Sequence, residues 1–318
     1  PDAVERYYSN GIYPFISMAQ RYLFGFFPVS IGDLIYMLLI FSGLWSSWSF
    51  YRNITRNGKK TLDVKPALTR VLTYLLLIYC LFNILWGLNY ERKGIIHQMG
   101  IEKVKVKPND IRNLMSVLVL KVNEWDSLSQ ARMISPPAVD DVLQGAARSY
   151  GSLSSQDPRF LYSPVSLKSS LFSSIGNYLG YSGYYNPITG EAQVNTTVPS
   201  FMQPYTGCHE IGHQLGYARE NEANFAGYLA ARSSTDPAFR YSVYFDLYNY
   251  GRPFLKEMDS VLMRKLDAAL HERVRKDREE LRLFYERHQN PVEAFIDWAY
   301  GRYLEANGQP DGKWTYNK

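Results

Sequence analysis

His209, Glu210 and His213 stand in the pattern HExxH, two imidazoles four residues apart with a carboxylate beside the first. On a helix, positions i and i+4 share a face, so both rings can reach one metal ion. The metal suited to this set is zinc (Zn2+), which lowers the pKa of water toward about 7. Glu210 is placed to take the proton of that water as a general base. A zinc hydrolase needs three protein ligands and one open position. The other three histidines, His97, His271 and His288, stand in no recognisable ligand spacing. The nearer candidates are Glu220 and Glu222. Gly216 can end the first helix in a left-handed turn, and a second helix from about Arg219 to Ala231 would fold back against it. In that helix Glu222 shares a face with Phe225, Ala226 and Leu229, and Glu220 shares one with Asn224, Gly227 and Ala231. A carboxylate on an apolar inward face is unfavourable without a cation beside it, so Glu222 is the expected third ligand.

Other residues would serve this centre. Tyr181 to Asn195 reads as two short strands about the turn from Asn186 to Gly190. Within it Glu191, Gln193 and Asn195 alternate with Ala192 and Val194. Such a strand near the active-site helix is expected to bind an extended peptide by main-chain pairing, the alternative being an ordinary edge strand with a polar outer face. Tyr241 and Tyr244 are candidates to donate to a tetrahedral oxyanion, against a role in packing. Asn224 is expected to orient a metal ligand from behind.

The chain that carries these residues has 318 residues, 46% hydrophobic and 20% charged, which excludes a disordered or collagen-like protein. A formal charge of +5 is too small and too scattered for nucleic-acid binding. Two cysteines, Cys80 in an apolar run and Cys208 beside the HExxH, leave no thiolate metal site and no expected disulfide. Leu34 to Tyr51 (LIYMLLIFSGLWSSWSFY) and Val71 to Tyr90 (VLTYLLLIYCLFNILWGLNY) contain no charged residue. A helix needs about 20 apolar residues to cross the hydrocarbon core, so both read as membrane spans, with a buried hairpin in a soluble core as the alternative. Trp45, Trp48, Tyr51, Trp86 and Tyr90 sit near span ends, where aromatics favour the membrane–water boundary. The segment between the spans holds Arg52, Arg56, Lys59, Lys60, Lys65 and Arg70 against Asp63 alone, which places it in the cytoplasm and both chain ends outside. The expected organisation is an outer-face amphipathic segment over 1–27, spans over 28–51 and 71–90, a basic cytoplasmic loop over 52–70, and a catalytic domain over 91–318. In that domain, helices are expected after Pro108 and from Ala138 to Tyr150, a loop over 151–164, and a long charged helical stretch from Phe254 to His288.

A resemblance sharpens these expectations. HEIGHQLG resembles the zincin metallopeptidases, and Glu222-Ala223-Asn224-Phe225-Ala226 resembles the EAN third-ligand motif of gluzincin-type families. GEAQVN, HEIGHQLGYARENEANFAGYLA, Tyr241-Ser242, the closing YLEANGQPDGKWTY and the early VERYYSNGIYPFIS together resemble a bacterial membrane family catalogued as the domain of unknown function numbered 3810. The resemblance implies a zincin domain and a membrane anchor, with a further span upstream, and supplies no substrate. Two features depart from the zincin pattern. Arg219 stands where metzincins carry a third histidine, and the gap from His213 to Glu222 is shorter than in gluzincins.

The fold expected is mainly α with a small β-sheet, two transmembrane helices being followed by a zincin-like α+β metallopeptidase domain. The function expected is peptide hydrolysis by a zinc enzyme anchored in the cytoplasmic membrane. Its catalytic domain would face outward, and its partners would be the lipid bilayer and a peptide or protein substrate. The alternative is a non-catalytic envelope protein on the same fold, acting as a sensor or assembly partner.

Overall fold

Two helices carry the apolar runs, α2 (Ile31–Asn57) and α3 (Val64–Leu85). The computed structural model describes residues 1–57, 64–102, 104–130, 138–291, 298, 299, 301, 302 and 305. The middle of the basic loop, Pro136-Pro137 and most of the closing YLEANGQPDGKWTY lie outside the described residues. The windows Ile31–Arg52 and Leu68–Leu85 have mean hydropathies of 1.3 and 1.8, and apart from Gly32 and Asp33 at the start of the first, neither is buried inside the protein. Both are long and apolar enough to cross a membrane, and neither forms a core hairpin.

The second span ends earlier than the apolar run suggests. α3 stops at Leu85, and a tight 3-10 turn over Gly87–Glu91 folds the chain back into the polar part. Trp86 and Tyr90, expected at the membrane boundary, are instead 5% and 4% exposed within the protein. The reason lies in their ring partners: Trp86 meets Tyr90 edge-on at 5.2 Å, and it also meets Tyr185, far along the chain, at 5.2 Å. The N-terminal segment is amphipathic, as its composition requires. It comprises a wide π-type helical stretch, Val4–Ile12, and α1 (Tyr13–Phe24). Tyr8, Tyr13, Ser17, Gln20 and Arg21 are buried against the rest of the chain. Tyr7, Ile12, Phe15, Tyr22, Leu23 and Phe26 are exposed on the other face.

The polar part is mainly helical around one small sheet. Its elements are α4 (Ile95–Gln98), α5 (Pro108–Gln130), α6 (Val139–Ser154), β1 (Leu167–Ser169), α7 (Ser173–Leu179), β2 (Gly183–Asn186), β3 (Glu191–Val194), α8 (Gln203–Gln214), α9 (Glu220–Ser233), α10 (Pro237–Met258), α11 (Ser260–Ala269) and α12 (Glu272–His288). The hairpin β2–β3 sits where the turn residues place it, with Gly183 opposite Val194 and Asn186 opposite Glu191. β1 adds a parallel partner on the other side of β3, Leu167 opposite Ala192. The order is therefore β1-β3-β2, and β3 is the centre of the sheet. The core lies between α5, α6, α8 and α10, where Met115, Tyr150, Cys208, Ile211, Phe245 and Tyr248 are all buried.

Two helical expectations are corrected. α6 continues to Ser154, so the expected loop begins later. The charged stretch from Phe254 is three pieces: Asp259 leaves α10 and caps α11 by accepting from Leu262 N at 2.9 Å, and a second break at Leu270-His271 separates α11 from α12. A side-chain oxygen on the first free N–H groups is a stronger local preference than helix continuation.

Candidate metal centre

α8 begins with Pro204 in its first turn, where a missing N–H leaves no bond unmade. It ends at Gly216, whose φ of +84° is the left-handed turn that glycine permits. Gly216 N donates to His213 O at 2.9 Å and Tyr217 N to Gly212 O at 3.2 Å, which closes the helix and reverses the chain. α9 then packs back on α8 through small residues. A side chain on Gly227 would collide with the His209 backbone, and one on Gly212 would press on Ala223 and Ala226.

This close approach brings the site together. The His209 and His213 rings lie 4.7 Å apart at 87° to each other. Their outer nitrogens are held: His209 Nδ1 meets Asn224 Oδ1 at 2.8 Å, and His213 Nδ1 donates to Tyr217 O at 2.9 Å. With Nδ1 engaged, each Nε2 is left to act as a ligand. Asn224 thus lies behind the His209 ring, and Tyr205 Oη in turn donates to Asn224 O at 3.1 Å.

Glu220, not Glu222, brings the carboxylate. Glu220 Oε2 lies 3.2 Å from His209 Nε2 and 3.6 Å from His213 Nε2. Burial works to raise the Glu220 pKa, but the two imidazoles outweigh it and hold the carboxyl well below its ordinary range. Glu222 is buried on another side of α9, against Gly94 and close enough to Tyr217 to couple with it. The expectation of Glu222 took the large apolar residues to mark the inward face. The face that meets α8 is instead the one carrying Ala223, Ala226 and Gly227, and Glu220 stands one turn before Ala223 and Asn224 on that side.

Glu210 is buried beside the histidines, and ligand atoms of His209, Glu210 and His213 all lie within 4.8 Å of one another. Burial pushes its carboxyl up to about 8, with His209 pulling it down and Glu220 adding to the rise. Its Oε2 has no hydrogen-bond partner among the described residues. Gly183 of β2 lies against it, and a side chain there would strike Glu210 Oε1. Two converging Nε2 atoms, the Glu220 carboxylate and an orphaned buried oxygen suit a divalent cation such as zinc.

The remaining site residues are placed elsewhere. Tyr241 is fully buried and donates to Asp277 Oδ2 at 2.5 Å, so its hydroxyl is engaged in the core and not at the metal centre. Tyr244 packs edge-on against Tyr228. Glu191 and Gln193 are buried on the central strand and Asn195 is buried just past its end, and that strand pairs on both sides and has no free edge for a peptide. Glu191 forms an ion pair with the buried Lys168. It also accepts from Ile31 N at 3.1 Å and Gly32 N at 2.6 Å, so it caps the first turn of α2. Gln193 hydrogen-bonds Ser30 at 2.7 Å, and Asn195 donates to Asn177 at 2.8 Å. These three residues tie the sheet to its surroundings.

Two further groups were not visible in the sequence pattern. Asp246 of α10 couples with His209, and burial pushes its carboxyl up to about 6. The exposed carbonyls at the end of α8 are met from the N-terminal segment and from the end of α3. Tyr13 Oη donates to Gln214 O at 2.9 Å, Ser17 Oγ to Gln214 O at 2.7 Å, and Trp86 Nε1 to His213 O at 3.2 Å. Helix ends need such partners, and here they come from about 125 to 200 residues away in the chain.

Fold and site together define a mainly helical chain with two helices able to cross a membrane and a histidine–carboxylate cluster able to hold a metal ion. Residues 8–318 match the model of the family described as "Protein of unknown function (DUF3810)", and the chain belongs to that family. No curated protein and no solved structure matches it.

Proposed function

We propose that this chain is a membrane-anchored zinc metallopeptidase. The observation that carries the reading is the convergence of His209 Nε2, His213 Nε2 and Glu220 Oε2, with both Nδ1 atoms held from behind. His209, His213 and Glu220 would hold a zinc ion there, which would supply Lewis acidity and make water nucleophilic at neutral pH. Glu210, buried beside those ligands, would be the residue that takes a proton from the attacking water as general base and returns it to the leaving amine as general acid. The arrangement resembles that of zincins, with the third ligand at the first residue of the returning helix.

β2 is the terminal strand beside Glu210, and it replaces β3 as the strand on which an extended peptide would pair. α2 and α3 are the membrane spans. The basic segment between them faces the cytoplasm, and the domain from Trp86 onward faces outward. Cysteine labelling from outside intact cells should then reach an introduced thiol in the domain and none in the segment between the spans.

Metal analysis of the purified full chain, combined with cleavage of a peptide library, tests the activity. Glu210→Gln should keep the fold and the zinc and lose a factor of about 10² to 10⁴ in rate. Stoichiometric zinc with no turnover on any peptide in the unaltered chain would favour a non-catalytic sensor or assembly protein. Full activity in Glu210→Gln would remove the proposed mechanism.

A further inference from the structure

A cleft of about 630 Å3 opens between the N-terminal segment and the polar domain, on the side of α8 where that helix ends. Arg21, Arg92 and Arg159 line it. Arg21 is 4% exposed, yet no carboxylate approaches its guanidinium among the described residues. Its partners are neutral: Nη1 donates to Ser17 Oγ at 2.6 Å and Nη2 to Ser163 O at 3.1 Å, while Nε has none. Arg92 is 3% exposed and donates from Nη1 to Gly216 O at 2.7 Å. Its Nε lies 3.6 Å from Glu5 Oε2, an ion pair too long for a hydrogen bond. Arg159 is paired with Asp157. Three guanidinium groups therefore face two carboxylates, and the uncompensated charge belongs to the most deeply placed side chain without an acid. A buried cation facing only neutral dipoles is unfavourable unless an anion joins it.

The walls indicate which anion. Guanidinium groups match the oxygens of phosphate and carboxylate in a fixed fork. Ser9, whose buried Oγ has no partner, adds a hydroxyl to the lining. The rim is apolar, with Met18 47% and Leu161 65% exposed. Met18 lies on α1, whose exposed Phe15 and Tyr22, with Phe26 just past the helix end, add further apolar surface. A basic floor under an apolar rim, in a chain with two helices long and apolar enough to cross a bilayer, fits an amphiphile with an anionic head.

We propose that this cleft binds a phosphate ester, with the headgroup of an anionic phospholipid as the occupant its rim favours. The site is separate from the metal centre and does not depend on peptidase activity. Its occupant would reinforce the packing of α1 on the end of α8, because Arg21 and Arg92 already reach Gln214 O and Gly216 O.

The test uses the full chain in detergent micelles, with phosphatidylglycerol, phosphatidylcholine and inorganic phosphate as separate probes. Binding is read by native mass spectrometry and by the thermal midpoint. Two variants are compared, Arg21→Gln at the floor and Leu161→Glu at the exposed rim. The second sits on the surface and keeps the test decisive if the first fails to fold. Phosphatidylglycerol should bind in preference to phosphatidylcholine, raise the midpoint, and bind at least about tenfold more weakly to both variants, since each alters one charge beside the site. Equal binding of inorganic phosphate, with the same losses in the variants, would keep the anion site and assign it to a soluble phosphate ester. Absence of binding by any probe, or binding unchanged in Leu161→Glu and in a folded Arg21→Gln, would overturn the proposal.

Discussion

The indole Nε1 of Trp86 donates to the carbonyl of His213 across 3.2 Å, and its ring meets the imidazole of the same residue edge-on at 5.9 Å. Trp86 follows directly on the last residue of α3, so a helix long and apolar enough to cross a membrane and a histidine of the candidate metal site are one hydrogen bond apart. Trp86→Phe keeps an aromatic ring and removes the donor. One such bond contributes about 0.5–1.5 kcal/mol. The variant should unfold at a lower temperature than the parent and still bind zinc. An unchanged midpoint would mean that the bond contributes nothing to holding α8.

The carboxylate assignment separates Glu220 from Glu222. Glu220→Ala should weaken zinc binding more than Asn224→Ala does. Loss of a group that orients a ligand from behind typically weakens metal affinity by about 10- to 100-fold. Glu222→Gln should leave zinc affinity near that of the parent, because its side chain is turned toward Gly94 and Tyr217. Competition with a chelator of known affinity ranks the three. Zinc loss in Glu222→Gln alone would reverse the assignment.

These two residues also mark the limit of what periodicity shows. His209 and His213 were legible because one helical turn joins them, and so were Gly216 and the hairpin β2–β3, each fixed by residues close in sequence. Asn224 was legible for the same reason, lying on a short helix after a tight turn. Glu220 was misplaced because hydrophobicity marks large apolar residues, whereas close helix contact selects small ones such as Ala223 and Gly227. Trp86 and Tyr90 read as membrane-boundary aromatics because their partners, Tyr185 and His213, lie far along the chain. The three residues of β1 carry no pattern of their own, and their pairing with β3 is wholly long-range.

Glu191 was expected to touch substrate, and its buried pairing with Lys168 argues for stability instead. Lys168 also donates to Phe24 O at 2.7 Å and Val29 O at 3.0 Å, so the pair joins the sheet to the linker before α2. Removing one member of a buried pair leaves the other charge uncompensated, at a cost of about 3–5 kcal/mol. Glu191→Ala should therefore unfold readily, and the double variant Glu191→Leu with Lys168→Met should recover much of the loss. Denaturant unfolding in detergent measures both. A Glu191→Ala chain of parental stability with only a raised KM would restore a role in substrate binding.

Asp277 gives a pH dependence away from the candidate metal site. Burial, against the pull of the Tyr241 hydroxyl and Arg273, pushes its carboxyl up to about 6 from the ordinary 3.8. Between those values the folded chain holds a proton that the unfolded chain has released. Stability contributed by this group therefore falls as pH rises across the window from about 4 to about 6, and levels off above it. Asp277→Asn keeps an acceptor for Tyr241, which donates to it at 2.5 Å, and carries no charge at any pH. The thermal midpoint of the variant minus that of the parent should become more positive from about pH 4 to about pH 6 and change little beyond. The opposite slope, with the variant falling behind as pH rises, would show that Arg273 stabilises an ionised Asp277 and that burial is the weaker influence.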